Sequence, residues 1–447
     1  MNEKVVDVGQ VRRDVQGSCV MKSVFEQIGK TPAEIEAKLQ TAFGQLFEGD
    51  PENERVCFNH GDDLAYIVDI GHTDIRSEGM SYGMTIAALM GKRDLFDRLW
   101  NFSRRYMRNK EGALEGYYSW QVSTKDFSMM DPGPAPDGEE YFAIALIYGA
   151  KVFGCDEYLK EAVKLLHDMA YKPETEEVFT MMDRKAVLVR FSPMKGNDYT
   201  DPSYNTLAFY RMYGEACKVA EAKGIAGVAC SVAGAASSSV AGSAGSDGAV
   251  TADQDVDFWK KIAANSFEYL KKACHPVTGM AADYSEFDGT PRKTPWHDAS
   301  HCFCGDAWRV AWNIALDAKN LERAQLAAAG NGAAVGVAGT QPDDVAAVRE
   351  WEIAEIRRLL NYFNDHRPYV ADSYIDGSGF FREARLATGG LIGMNGAATI
   401  ALPEGDPLIK PFAEDLWNLE VPTGTWRYYD GLLYMLGLLA CSGKFYV

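Results

Sequence analysis

Apolar residues recur along most of this chain at three- and four-residue spacing, the period of one face of an α-helix. Thr31-Pro32-Ala33-Glu34 supplies an N-cap, a proline suited to the first helical position and an acid in the first turn. Ile35, Leu39, Phe43 and Leu46 follow on one face. The same rhythm predicts helices at about 78–90, 93–108, 138–153, 157–171, 203–222, 256–273, 305–318, 346–366, 388–401, 407–418 and 427–441, about a dozen in all. Strand-like alternation is scarce. Glu177-Val178-Phe179-Thr180 and Val187-Leu188-Val189-Arg190-Phe191 predict a single hairpin.

Two tracts break the rhythm. Residues near 226–250 and 327–338 are rich in Ala, Gly and Ser, offer little to bury, and are expected to be flexible surface insertions. Periodicity resumes with the same character on either side of each, so neither reads as a domain boundary. No short repeat of fixed period marks a solenoid. The expectation is one all-α domain over residues 1–447, with antiparallel helical hairpins closed into a toroid.

Composition narrows the function. The 447 residues are 47% hydrophobic and 12% aromatic, ample for a folded core. The formal charge of −18, from 63 acidic and 45 basic residues, repels phosphate backbones and anionic lipid. Neither nucleic acid nor membrane is an expected partner; a neutral ligand is easier to hold. No apolar run approaches the roughly 20 residues that cross a bilayer. Met1-Asn2-Glu3-Lys4-Val5-Val6-Asp7 lacks the order of a secretion signal, and nine cysteines, an odd number, fit reduced thiols. A cytoplasmic location is expected. The sequence sets no oligomeric state.

Three acids stand in unusual company. Glu78 lies among Gly79, Met80, Tyr82, Gly83 and Met84, where burial costs a carboxylate several kcal/mol unless it is paired or protonated. A protonated carboxyl at neutral pH is what a general acid requires. Glu78 could instead cap the helix or bridge to Arg76. Two glycines four residues apart inside a helix, however, imply close approach of another group to that face, and Tyr82, at i+4, shares it. Asp137 follows Pro134 and Pro136 and precedes Gly138-Glu139-Glu140-Tyr141-Phe142; it reads as an N-cap or as a rigidly held hydroxyl-binding acid. Asp306 has Arg309 three residues on, either a plain intrahelical pair or the setting of a general base. Trp120, in Gly116-Tyr117-Tyr118-Ser119-Trp120, is a core residue or a sugar platform. The spacing of His297, His301, Cys302 and Cys304 matches no standard paired-ligand pattern, so no metal is expected. There is no Gly-x-Ser-x-Gly elbow, Walker loop or dinucleotide fingerprint, and no organic cofactor is expected.

Several segments taken in order resemble family 8 of the glycoside hydrolases: Arg76-Ser77-Glu78-Gly79-Met80-Ser81-Tyr82-Gly83-Met84, Gly133-Pro134-Ala135-Pro136-Asp137-Gly138-Glu139-Glu140-Tyr141-Phe142, Asp201-Pro202-Ser203-Tyr204, Ala273-Cys274-His275-Pro276, Asp288-Gly289-Thr290-Pro291 and Arg427-Tyr428-Tyr429-Asp430. The resemblance runs from about Glu34 to Lys444, and within the family it is to exo-oligoxylanases that release xylose from the reducing end. It implies an (α/α)6 barrel of six inner and six outer helices and an inverting cleavage of β-1,4-linked xylo-oligosaccharides. It further implies Glu78 as general acid, Asp306 as general base, and Asp137 as the acid that holds and distorts the sugar. Tyr204 would orient the water, Trp120 would stack on a sugar, and Tyr82, Arg309 and Tyr428 would line the substrate site. One departure stands out: where the exo-acting relatives carry a Leu-His-Pro kink, this chain reads Leu386-Ala387-Thr388, so a lower wall is expected there. An endo-acting xylanase or glucanase of the same fold, a non-catalytic oligosaccharide-binding toroid and a polysaccharide lyase are the alternatives.

Overall fold

A computed structural model describes residues 22–225, 250–330, 342–381 and 385–445 of the chain. Its described helices are α1 Val24–Gln27, α2 Pro32–Glu48, α3 Ser77–Leu89, α4 Arg93–Phe102, α5 Pro136–Phe153, α6 Asp156–Tyr171, α7 Leu207–Ala222, α8 Ala252–Ala273, α9 Trp308–Gly330, α10 Pro342–Asp365, α11 Gly389–Ala398, α12 Ile409–Asn418 and α13 Arg427–Cys441. Each periodic segment corresponds to one of them; α1, a single turn, is too short for periodicity to reveal. Thr31 caps α2 as its sequence requires: its Oγ1 accepts from Glu34 N at 3.3 Å while the Glu34 carboxylate accepts from Thr31 N at 2.8 Å. Helix α4 continues as a π-helical turn over Ser103–Met107.

The helices fall into two kinds. In α3 every residue except Glu78 is buried, and α11 and α13 are also buried nearly all round. Helices hydrophobic on all sides belong in an interior. By contrast α8 buries Val256, Trp259, Ile262, Ala263, Phe267 and Leu270, one stripe, and leaves the other face to solvent. Helix α3 packs on α5, α5 on α7, α7 on α9, α9 on α11, α11 on α13, and α13 on α3. Helices α4, α6, α8, α10 and α12 pack against α3, α5, α7, α9 and α11 respectively, and α2 against α13. The α11–α13 contact is a backbone contact: a Cβ on Gly437 would lie 2.5 Å from the Gly393 carbonyl oxygen.

Among the described residues three small antiparallel sheets accompany the helices, where the sequence predicts a single hairpin. Strand β1 Cys57–His60 pairs with β2 Leu64–Ile67; β3 Asp74–Arg76, β4 Gln121–Ser123 and β5 Met129–Asp131 form a second sheet; β6 Met182–Asp183 pairs with β7 Leu188–Val189. Strands of two to four residues are too short for period-2 alternation to register in sequence. The predicted hairpin is present but shifted. Its first strand is β6 rather than 177–180, because the Asp183 carboxylate accepts from Lys185 N at 2.8 Å and closes the turn there. Val178 makes an isolated bridge with Met194.

Helix α9 extends through Gly330, so the second Ala/Gly tract begins as helix rather than as an insertion at 327. Residues 226–249 and 331–341, which hold the rest of the two tracts, lie outside the described residues. Among the described residues no helix is long and apolar enough to cross a membrane.

Candidate active site

The second sheet aims the start of α3. Arg76 ends β3 opposite Gln121 of β4, and Ser77 N donates to the Trp120 carbonyl at 3.1 Å. That pairing sets Trp120, half-buried, beside the first turn of α3, with the Arg76 guanidinium 5.6 Å from its ring. Arg76 itself pairs with Asp69 and Asp74, at 3.1 and 3.0 Å. Glu78 therefore takes other partners. At the start of α5 the backbone of Gly138 meets Ser77, since a Cβ at 138 would fall 2.4 Å from the Ser77 hydroxyl. The crossing brings Glu78 and Asp137, each one residue from the contact, to the same place.

Arg309, in the first turn of α9, joins the acids. Its Nη1 donates to Asp137 Oδ2 at 2.7 Å, to Glu78 Oε1 at 3.0 Å and to the Tyr82 hydroxyl at 2.7 Å. Its Nη2 donates to Asp306 Oδ1 at 2.9 Å and lies 3.8 Å from Asp201 Oδ2. The side chain is only 3% exposed, and the rigid fork of donors fixes where each carboxyl sits. Glu78 and Asp306 are bound by different nitrogens of one guanidinium. That arrangement holds their nearest oxygens no more than roughly 8 Å apart, an upper bound that overlaps the ~6.5–9.5 Å spacing of inverting glycosidases.

Their surroundings differ. Glu78 is mostly buried, and burial raises its carboxyl to about 8, against the opposing pull of Arg309 and with help from the charges of Asp137 and Asp306. Its other oxygen accepts from the Tyr428 hydroxyl at 3.1 Å. The Asp306 side chain is 31% exposed and open to water. Burial also raises Asp137 and, well above the usual range, Asp201; Arg309 opposes both shifts. Several carboxyls around one cation cannot all ionise in a dry site, and the proton falls to those least hydrated.

Of the residues singled out from sequence, Glu78, Asp137, Asp306, Arg309, Tyr82 and Tyr428 meet in this cluster. Gly79 and Gly83 have the close neighbours their positions implied: a Cβ would fall 2.4 Å from the Tyr428 ring and 2.1 Å from Ile67. Asp137 is not the N-cap of α5, a place held by Ala135, but the second helical residue, accepting from Gly138 N at 2.9 Å. Arg309, Tyr82 and Tyr428, expected to line a substrate site, are 3% exposed or less and stand behind the carboxyls. Tyr204 lies under Arg309, its ring 5.7 Å from the guanidinium carbon.

Sequence reasoning missed Asp201 and Asp283. Asp283 is buried; its Oδ1 accepts from Cys304 N at 3.1 Å and Ala307 N at 2.9 Å, and its Oδ2 bonds His297 Nε2 at 2.8 Å. It thus pins the backbone on both sides of Asp306. Burial raises it to about 6, opposed by His297. The signal was available: Ala281-Ala282-Asp283-Tyr284 is an acid in apolar company, like the segment that marked Glu78. His297 is engaged by this carboxylate rather than grouped with His301, Cys302 and Cys304. Elsewhere His167, Cys217 and Asp255 bring ligand atoms within 4.8 Å of one another, the one such group among the described residues. There His167 Nε2 and Asp255 Oδ2 already pair at 2.9 Å.

The model for "Glycosyl hydrolases family 8" matches residues 67–243, which contain Glu78, Asp137 and Tyr204. A reducing end xylose-releasing exo-oligoxylanase of Halalkalibacterium halodurans is 34% identical over 430 residues, 95% of this chain and 93% of that protein. The chain belongs to glycosyl hydrolase family 8. Another member, the reducing-end xylose-releasing exo-oligoxylanase Rex8A of Paenibacillus barcinonensis, is 32% identical over 95% of this chain and 96% of its own length. The structure of Rex8A complexed with xylose superposes with a TM-score of 0.76 at 31% identity, covering 95% of this chain and 97% of the other. In this family-8 glycoside hydrolase, the carboxyl cluster around Arg309 is accordingly the candidate catalytic centre.

Proposed function

We propose that the chain hydrolyses β-1,4-linked xylo-oligosaccharides with inversion, releasing xylose from the reducing end. The observation that carries this reading is the single buried guanidinium of Arg309 holding Glu78, Asp137 and Asp306 in one site. The names of the relatives, which cover nearly the whole chain, support the substrate. Glu78, kept protonated by burial, gives its proton to the departing glycosidic oxygen. Asp306, on the wetter side, takes a proton from the water attacking the opposite face of the sugar. Asp137 accepts from a hydroxyl of the sugar at the cleavage point, Tyr204 steadies the water, and Trp120 stacks on a neighbouring unit. Arg309, Tyr82 and Tyr428 hold the carboxyls in place. An acid, a base and water suffice for this chemistry.

The proposed scaffold is an (α/α)6 barrel forming one domain over residues 1–447. It is supported by the sequence of helix contacts that runs from α3 through α5, α7, α9, α11 and α13 back to α3. A cytoplasmic location belongs to the same proposal; it rests on the odd count of nine cysteines, and cell fractionation tests it.

Product release from xylohexaose and from its reduced alditol tests the mode of attack. A reducing-end enzyme liberates xylose first and stalls on the alditol, and proton NMR of the nascent product reads the anomer. Absence of xylose as first product removes the exo assignment. One observation favours an endo-acting hydrolase of the same fold: Leu386, in the segment where the closing kink of the exo-acting relatives is replaced and a lower wall is expected, is 61% exposed. Internal cleavage of both substrates identifies that alternative.

A further inference from the structure

Trp296 is 62% exposed, although an indole is among the side chains with most to gain from burial. It is not on a loose segment. Pro295 fixes the backbone before it, Thr294 N donates to Ser300 Oγ at 3.0 Å, Ser300 N donates to the His297 carbonyl at 3.0 Å, and His297 is tied to Asp283 at 2.8 Å. The turn thus holds an aromatic face out to solvent. Behind it lies Phe191, ring centroids 6.4 Å apart, and Phe191 stacks on Tyr204 at 6.3 Å and an interplanar angle of 10°. Tyr204 is the ring beside Arg309. The Phe191 segment is itself tied to the Asp137 loop, because the Ser192 hydroxyl donates to the Pro134 carbonyl at 3.2 Å. A row of three rings therefore leads from the catalytic centre to the surface.

We propose that Trp296, backed by Phe191, is an outlying saccharide subsite on the wall that carries Asp306, where the indole stacks on a neutral pyranose of the substrate chain remote from the bond being cut. Apolar C–H faces of sugar rings pack on aromatic faces, and an uncharged ligand suits a protein of charge −18. Asp283 links this subsite to the chemistry: one carboxylate anchors His297, next to Trp296, and receives the amides of Cys304 and Ala307 that flank Asp306. A long chain seated on the indole is thereby registered against the base.

The inference rests on the hydrolase reading above and is tested by chain length. Wild type, Trp296→Ala and Trp296→Phe are assayed on xylotriose and xylohexaose, and in parallel on cellotriose and cellohexaose; calorimetric binding to the Glu78→Gln variant is measured with and without Trp296→Ala. Loss of one stacking contact predicts that the ratio of KM for the hexaose to KM for the triose rises about tenfold in Trp296→Ala, with most of it restored in Trp296→Phe. The pH profile stays that of wild type. A change of equal size on both lengths, or a fall in kcat on both, identifies a structural role for the turn and overturns the subsite; so does no change on either. If wild type cuts the cello-series instead, the xylose reading falls while the length test still decides the subsite. If no saccharide is cut or bound, both fall.

Discussion

Helices α3 and α8 show how the two kinds of helix in this protein divide the work. Helix α8 has a capping box at Thr251 and Gln254, one apolar stripe, and charges such as Glu268 and Lys271 that pair at 3.1 Å in solvent. Helix α3 has no side-chain cap and no face open to solvent, and its one acid is turned into the interior. An ion pair in water contributes little, because water serves each partner nearly as well. A carboxyl withdrawn from water is forced to change protonation or find a partner, and Glu78 does both. The perturbed carboxyl therefore stands on a helix with little amphipathic pattern.

Removing the carboxyls held by Arg309 has the largest expected effect. Glu78→Gln and Asp306→Asn should each lower kcat on xylohexaose by about 10²–10⁴-fold with the fold retained by circular dichroism, since in the proposed mechanism each removes a proton-transfer group. Turnover near that of wild type in either variant would remove the assignment.

A change on the outer helix should act on stability alone. Trp259 of α8 is fully buried, and Trp259→Ala should destabilise by about 3–5 kcal/mol in urea melts while leaving the pH dependence of activity unmoved.

Next in size is the pH signature of Glu78. Its folded-state carboxyl, near 8, lies above the ordinary value of 4.5, so the native state binds the proton more tightly than the unfolded chain. The contribution to stability is complete below about 4.5 and declines as pH rises to about 8. Glu78→Gln should flatten that decline, and in wild type kcat/KM should fall as pH rises through about 8 as the acid loses its proton. A wild-type basic limb near pH 5 would contradict the burial argument. Smallest of all, Lys271→Ala, which breaks an exposed pair, should shift stability by no more than about 0.5 kcal/mol and leave kcat alone.

The same contrast explains what was legible in the sequence. Outer helices such as α8 announce themselves through periodicity, and α2 through its cap. Buried helices such as α3 and α5 carry the same three- and four-residue rhythm, and their acids stand out by their incongruous neighbours. What escaped depends on contacts between segments far apart in the chain. Arg309 could be paired with Asp306 by counting three residues, but its bonds to Glu78 and Asp137 span 231 and 172 positions. Asp283 carries a local signal, an acid in apolar company, but its role in receiving amides from a loop 21 and 24 residues away follows from no spacing rule. The short sheet that seats Trp120 escaped because three residues of β4 carry too little alternation to be heard above a helical chain.

The meeting of Ser77 with the bare backbone of Gly138 acts as a gauge. It sets how far apart Glu78 and Asp137 stand, and nothing softer than main chain lies on one side of it. A single methyl added at 138 would act as a shim, widening the jaw of the site without touching either acid. The width of the bite is thus written in a residue that has no side chain at all.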